Sequence, residues 1–302
     1  MTKALVVGAG SIGIRHARVL TALGHDVAIV SSRPSDEFQR FDGIPAALAE
    51  FDPAYVVVAS ETARHASSVD ELAGAGFHGM LLVEKPLSVR AASLAAFDRV
   101  GVGFNLRFHP VIARVAELLA ATEVYTVEVY AGQHLSDWRP GRPTADQYSA
   151  NRARGGGVLR DLSHEFDYLG HMLGACRGAF ARGGRLGDVT VDSDDAWGIV
   201  AEYERAPVVT AQLNYLDTRA RRRIVATTAS GTVEADVIAG TVRHGDSTED
   251  LPSERDETYS RMHRAMLEGS GPVTTAAEAA ATEDVIDLIE RSAAGQRWLA
   301  MS

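Results

Sequence analysis

The sequence predicts an α/β protein of two domains: a doubly wound, parallel Rossmann sheet over residues 1–107, and an α+β domain with an open, largely antiparallel sheet over residues 108–302. Three observations carry the prediction. A glycine run with GxGxxG spacing follows the first apolar stretch directly, and short apolar runs then alternate with helical stretches through the first hundred residues. Beyond Asn105 the strand-like segments become longer and partly alternating.

In the first domain the strand candidates are residues 4–7, 27–31, 55–59, 80–83 and 100–104. They are short, rich in β-branched residues and unalternated, as strands buried on both faces should be. Helical stretches lie around 12–23, 46–50, 63–75 and 91–99. The second domain begins with a helix at 111–121 and continues with strands at 124–130, 196–203, 208–215, 224–228 and 232–237. An alanine- and glutamate-rich segment, 274–292, ends it with helix. Pro140, Gly141, Pro143 and the three glycines at 155–157 mark a long irregular crossing, a place for a functional loop.

Composition narrows the function classes. With 46% hydrophobic and 23% charged residues in 302, the chain has material for a sizeable core and is not expected to be disordered. A net charge of -10 argues against nucleic-acid binding. The basic cluster Arg219, Arg221, Arg222 and Arg223 reads either as a solvated strand entry or as an anion contact. The apolar stretch 4–7 is cut short by Gly8, so neither a secretory segment nor a membrane span is expected and the location expected is cytoplasmic. The single cysteine, Cys176, excludes an intrachain disulfide and a cysteine zinc site, and reads as a small buried hydrophobe. No metal site is expected.

The stretch VVGAGSIGIRH puts Gly8, Gly10 and Gly13 between a strand and a helix opened by Ser11 and Ile12. Gly8 suits a tight turn, Gly10 lets backbone approach a pyrophosphate, and Gly13 allows close helix–strand packing, so the loop points to a dinucleotide. The second strand ends in Ser31-Ser32-Arg33 rather than in an acidic residue. Small hydroxyls and a forked guanidinium suit a 2′-phosphate, so Ser32 and Arg33 favour NADP(H), with NAD(H) the alternative. After the strand at 55–59, Ser60 or Thr62 is placed to cap the next helix. His65 falls in that helix's first turn, either at the cofactor or exposed to solvent.

VGAGSIGIRH, VEKPL, GFNLRFHP and GGGVLRDLSHEFDYL together resemble the Gfo/Idh/MocA oxidoreductases. ASGTVEAD and the closing helix extend the resemblance over nearly the whole chain. It implies hydride transfer between a nicotinamide cofactor and a secondary alcohol or ketone of a sugar, inositol or nucleotide-linked sugar, by a homodimer or homotetramer built through the open sheet. It also implies that Lys85 is catalytic, that Glu84 lies beside the cofactor ribose, and that the bond into Pro86 is cis. Asp161 and His164 become a catalytic pair, although DLSH leaves two residues between them where the family pattern has three.

The residues themselves agree with these roles. Lys85 is one of two lysines among 28 arginines, and an amine can be deprotonated where a guanidinium cannot. It is expected to hydrogen-bond the substrate oxygen while His164 exchanges the proton, directly or through Asp161. On a helix over 160–173, Leu162, Phe166, Leu169 and Leu173 form an apolar stripe, with Asp161, His164, Glu165 and Tyr168 opposite. The glycines before it leave room for a ligand. Asn105 is expected at the cofactor, and Arg107 either at the substrate or in an interdomain ion pair. The loop with His134, Trp138 and Arg139, together with Tyr148, either closes over a carbohydrate-like substrate or is structural. Two other readings use the same fold: an imine or biliverdin-like reductase, and a non-catalytic dinucleotide sensor.

Overall fold

The unalternated apolar runs of the first hundred residues form a parallel sheet with both faces covered. The computed structural model describes residues 1–301 apart from 90, 139, 140, 142 and 190. Arg139 and Pro140 of the expected crossing loop therefore lie outside the described residues. Among those described, β1 (Lys3–Val7), β2 (Asp26–Val30), β3 (Gln39–Phe41), β4 (Tyr55–Val58), β5 (Met80–Val83) and β6 (Arg99–Val102) pair in the order β3-β2-β1-β4-β5-β6. Every pair is parallel. The crossovers carry α1 (Ser11–Ala22), α2 (Ile44–Phe51), α3 (His65–Gly74) and the short α4 (Ala91–Leu94).

Two cores flank this sheet. Ala17 and Leu20 of α1 share one with Val6 and Val57; Ala47 and Phe51 of α2 and Val69 and Leu72 of α3 share the other with Leu5, Val56 and Val58. Each fully buried valine or leucine contributes about 1.5–3 kcal/mol, so the strands are held by burial on both sides. The strand order reverses between β1 and β4, which puts the loops after those strands at the crevice where such sheets bind ligands.

The second unit is built on alternation. After α5 (Pro110–Ala120) come β7 (Val124–Gly132), α6 (Leu135–Trp138), α7 (Val158–Asp161), α8 (His164–Leu173), β8 (Cys176–Gly184), β9 (Ala196–Tyr203), β10 (Ala206–Asn214), β11 (Arg221–Thr228), β12 (Gly231–Asp236), β13 (Thr241–His244) and β14 (Ser247–Asp250). The helices α9 (Glu257–Glu268) and α10 (Ala276–Gly295) and the short β15 (Leu299–Ala300) follow. Among the described residues the sheet order is β14-β13-β12-β11-β7-β10-β9-β8-β15, antiparallel except for the β10–β7 pair. Along β9, Trp197, Ile199, Ala201 and Tyr203 are buried, whereas Gly198, Val200 and Glu202 are exposed. One face thus joins the core formed with α5 and α8, and the other stays open.

Packing divides the chain into one unit of residues 1–108 and 254–280 and another of 109–253 and 281–302. The second domain expected as one stretch, 108–302, is therefore interrupted. Residues 254–280 return to the first unit because α9 carries Tyr259, Met262 and Met266 on one face, buried with Ala17, Leu20 and Phe108. Two further expectations change. The helix expected over 91–99 ends at Leu94, and Arg99 already opens β6. The helix expected over 160–173 is broken at Leu162 and Ser163, separating α7 from α8. No helix among the described residues is long and apolar enough to cross a membrane.

Candidate functional site

In the first unit, three glycines shape the loop between β1 and α1, each differently. Gly8 has φ +105°, and a Cβ on it would lie 2.7 Å from Ala59 O and Ser60 N, so both conformation and space require glycine. A Cβ on Gly13 would lie 1.8 Å from Gly8 O, because α1 is packed hard against the strand end. Gly10 is the exception. Its φ of -71° suits any residue, and nothing lies within 4 Å of where a Cβ would be.

That open space stands over the first turn of α1, where Ser11 and Ile12 present unpaired backbone N–H groups. Ser60, beside Gly8, has a buried hydroxyl with no hydrogen-bond partner among the described residues. An open cradle at a helix N-terminus and an unsatisfied buried hydroxyl fit the phosphates of a dinucleotide. At the end of β2, the Arg33 N–H donates to Ser31 Oγ at 2.9 Å, and Ser32 and Arg33 are exposed. Arg40 of β3 adds a second guanidinium there, donating to Ser31 O at 2.7 Å and pairing with Asp42.

Neither Ser60 nor Thr62 caps α3, whose N-cap position, Arg64, makes no side-chain cap bond. Thr62 instead opens a 3-10 turn, and its carbonyl accepts from Ser88 Oγ at 2.8 Å. His65 is 1% exposed, which removes the solvent-exposed reading. Its Nε2 lies 3.1 Å from Ser60 O and its Nδ1 3.3 Å from Pro86 O, so the ring ties the segment after β4 to the segment after β5. Burial lowers its pKa.

Glu84 directly follows β5 and is buried. Its Oε2 accepts from the Lys85 N–H at 3.2 Å, and its Oε1 lies 2.9 Å from His16 Nε2. Gly103 makes room for it, since a Cβ there would lie 2.6 Å from Glu84 Oε1. The Lys85–Pro86 bond is cis. Asn105 donates to Thr258 Oγ1 at 2.7 Å, and Arg107, 3% exposed, donates to Glu278 Oε1 at 2.7 Å. Arg107 is thus ion-paired, but within the first unit rather than between domains. Partial burial opposes ionisation of Glu278, but the Thr275 N–H and Arg107 hold its pKa below the usual range.

In the second unit, Asp161 closes α7 and is buried. Its Oδ2 accepts from the Tyr215 hydroxyl at 2.5 Å, and its Oδ1 accepts from the Tyr148 hydroxyl. Burial first, and then the Asp161 charge, raise the pKa of Tyr215, so the phenol stays a donor. The Trp138 ring meets Tyr215 edge-on at 5.2 Å, and its indole N–H donates to Gln133 O at 3.3 Å. Asp161, Tyr148, Tyr215 and Trp138 thus form a carboxylate set among aromatic rings.

Because α7 and α8 are separate helices, Asp161 and His164 do not share the single helix face expected of them. Glu165 and Tyr168, expected on a polar face, are fully buried. The room expected at the glycines is also partly filled. A Cβ on Gly156 would lie 2.3 Å from Tyr148 O, and one on Gly157 2.1 Å from Asp194 Oδ1. Asp194 Oδ2 accepts from the Leu159 N–H at 3.1 Å, so a protein carboxylate holds the start of α7.

The basic cluster pairs with the protein's own carboxylates. Arg221 meets Asp217, Arg222 meets Glu165 at 2.8 Å, and Arg223 meets Asp236. Burial opposes ionisation of Asp217, but Arg221 and Tyr130 bring its pKa down to about 2. Cys176 is buried, and burial raises its thiol pKa.

Sequence reasoning missed Arg40, Tyr215, His16 and His263. His16 could have been suspected from its position three residues after Gly13, on the face of α1 that also buries Gly13. His263, 247 residues from its partner His16, gave no such signal.

Residues 2–100 match the model of the Oxidoreductase family, NAD-binding Rossmann fold, named GFO_IDH_MocA. No curated protein matches the chain. Among solved structures, GenD2 from gentamicin A biosynthesis in complex with NAD is 24% identical, with a TM-score of 0.81, over 100% of this chain and 96% of that one. The WlbA dehydrogenase from Bordetella pertussis, in complex with NADH and UDP-GlcNAcA, is 17% identical, with a TM-score of 0.81, over 100% and 98%. An oxidoreductase from Agrobacterium radiobacter, in complex with NAD+, L-tartaric acid and magnesium, is 16% identical, with a TM-score of 0.82, over 99% and 98%. At these identities the likeness shows a shared fold.

Proposed function

We propose that the chain, whose residues 2–100 match the NAD-binding Rossmann model of the Gfo/Idh/MocA oxidoreductases, transfers hydride to or from a secondary alcohol or ketone of a carbohydrate-like substrate. The observation that carries this reading is the open cradle at Gly10, with the unsatisfied Ser60 hydroxyl beside Gly8 of the same loop, in a unit whose β5 is followed by Glu84-Lys85-Pro86. Gly8, Gly10, Ser11, Ile12, Gly13 and Ser60 would hold the pyrophosphate. Ser32 and Arg33, with Arg40 beside them, favour a 2′-phosphate and hence NADP(H). A bound nicotinamide supplies the hydride acceptor or donor.

The chain's own task is to orient the substrate and manage one proton. Lys85 donates a hydrogen bond to the substrate oxygen and stabilises the charge developing there. His164 takes or returns the hydroxyl proton. Asp161, held in place by two phenols, orders the polar side of the substrate site, and Trp138 offers an aromatic face to a pyranose. The open face of the nine-stranded sheet supports assembly as a homodimer or homotetramer, in the cytoplasm.

Titration with NADPH, followed by turnover on a panel of keto-sugars, tests the reading. Lys85→Met should bind cofactor as the wild type does and lose at least about a hundredfold in kcat. Ser32→Asp should move the ratio of catalytic efficiencies toward NADH. Wild-type turnover by Lys85→Met would refute the assignment.

A further inference from the structure

Behind Lys85, four buried side chains from four separate elements are joined in a line. Tyr55 OH lies 2.9 Å from His263 Nδ1, His263 Nε2 lies 2.9 Å from His16 Nδ1, and His16 Nε2 lies 2.9 Å from Glu84 Oε1. Tyr55 is in β4, His263 in α9, His16 in α1 and Glu84 just after β5. Tyr55, His16 and His263 are fully buried and Glu84 is 7% exposed. We propose that Tyr55, His263 and His16 form a one-way hydrogen-bond relay that holds Glu84 as a fixed carboxylate, and that they are positioning residues for the Glu84–Lys85 end of β5.

Counting donors and acceptors fixes the direction. With both imidazoles neutral, Tyr55 O–H donates to His263 Nδ1, His263 Nε2–H to His16 Nδ1, and His16 Nε2–H to Glu84 Oε1. Every polar atom on the line is then satisfied. An extra proton on His16, on His263 or on Glu84 Oε1 makes His263 Nδ1 a donor toward Tyr55 oxygen. The Tyr55 proton must then turn away, and no other hydrogen-bond acceptor for it is found among the described residues. A buried hydroxyl left unpaired is costly, so the relay resists protonation as a unit, although only its last member adjoins Lys85.

The surroundings agree. Burial, and then the neighbouring His16, lower the pKa of His263, while burial and the Glu84 charge raise that of Tyr55. The other titratable groups facing the line are Tyr259, edge-on to His16 at 5.3 Å, His25, which also disfavours charge on His263, and Arg15, which stacks on Tyr259 and pairs with Asp256. The relay also explains why α9 returns to the first unit with a histidine on its buried face. Glu84 Oε2 accepts the Lys85 N–H, so whatever fixes the carboxylate also fixes the backbone that carries the lysine.

The functional half of the proposal rests on the role given to Lys85, so two readouts are needed, one of them independent of turnover. Nitrogen-15 spectra of the histidine-labelled full chain, assigned with His16→Gln and His263→Gln, should show both rings as neutral Nε2–H tautomers at pH 7.5. An Nδ1–H tautomer or an imidazolium at either position would overturn the relay. In steady-state kinetics, Tyr55→Phe removes one oxygen three links from the lysine and eliminates the orphaned hydroxyl. It should move the acidic limb of the kcat profile upward by about one pH unit, a tenfold change in proton affinity.

His16→Leu should lose about ten- to a hundredfold in kcat, with the cofactor Kd within about twofold. His16→Gln, which can still donate to Glu84 and accept from His263, should recover most of that loss. An unmoved profile in Tyr55→Phe, or a normal kcat in His16→Leu, would overturn the positioning role. Should Lys85→Met turn over normally while the tautomers are as expected, the reading of Lys85 fails and the relay stands.

Discussion

Gly10 and Gly13 offer a way to separate what the glycine loop does for the fold from what it does for a ligand. In Gly13→Ala the new methyl would sit 1.8 Å from Gly8 O and 2.9 Å from Gly8 C, far inside van der Waals contact with backbone that cannot swing aside. Either α1 or the end of β1 must shift. Overpacking of this kind costs about 1–3 kcal/mol, and displacement of the loop should weaken the cofactor as well. In Gly10→Ala the methyl meets nothing within 4 Å, and the backbone already has a conformation open to alanine. The loss of stability should stay within about 1 kcal/mol, from the poorer N-cap residue. The same methyl would occupy the space assigned to pyrophosphate, so NADPH affinity should fall at least about tenfold. Urea unfolding and fluorescence titration on the two variants give both numbers. If Gly10→Ala binds NADPH as the wild type does, the cradle is not where the phosphates lie.

Stability should also fall in mild acid. Burial lowers the pKa of both His65 and His263, so the folded chain leaves them neutral while the unfolded chain takes up protons below about pH 6.5. Stability is therefore intact above that value and lost as the pH drops from it toward the folded-state pKa values. Between pH 7.5 and 5.5 the His263 ring, held well below its ordinary value, should cost about 1.4 kcal/mol, and His65 no more than that. Urea midpoints at the two pH values measure the sum, and His65→Gln should remove the His65 share of it. Equal slopes in that variant and the wild type would exclude the assignment. Among the arginines, Arg222→Ala removes the cation paired with the fully buried Glu165 and should destabilise by about 3–5 kcal/mol, whereas Arg223→Ala breaks a solvated pair and should cost no more than about 1 kcal/mol. Similar losses in the two would show that burial does not set the worth of these pairs.

The first sheet was legible because its signals are local. Apolar runs such as Tyr55–Val58 and Met80–Val83 state their burial on both faces without reference to anything distant, and GxGxxG states its own turn. Strand β3 escaped because three residues, Gln39–Phe41, are too few for a period to show. The break between α7 and α8 escaped for a different reason. Helical periodicity in 160–173 is real, but Leu162, with φ -94° and ψ 29°, leaves helical conformation in a segment where Asp161 is bonded to Tyr148 and Tyr215. Those partners lie 13 and 54 residues away, and tertiary bonds of that kind override a local pattern.

The same reasoning explains which site residues were readable. Lys85, Gly8, Gly10 and Gly13 are chemically unusual where they stand: one of two lysines in a chain of 28 arginines, or glycines at GxGxxG spacing directly after a strand. His16 and His263 are ordinary residues on ordinary amphipathic helices, and their meaning lies in meeting each other. A histidine on the buried face of a helix is costly unless a partner satisfies it, and α9 meets that cost from 247 residues away. Replacing His263 by leucine would leave the apolar face of α9 intact while removing the acceptor of the Tyr55 hydroxyl and the donor to His16. What holds α9 in the first unit as a helix, and what makes that unit need α9, are therefore different interactions on the same face. The first follows from hydrophobic spacing, and the second only from the fold.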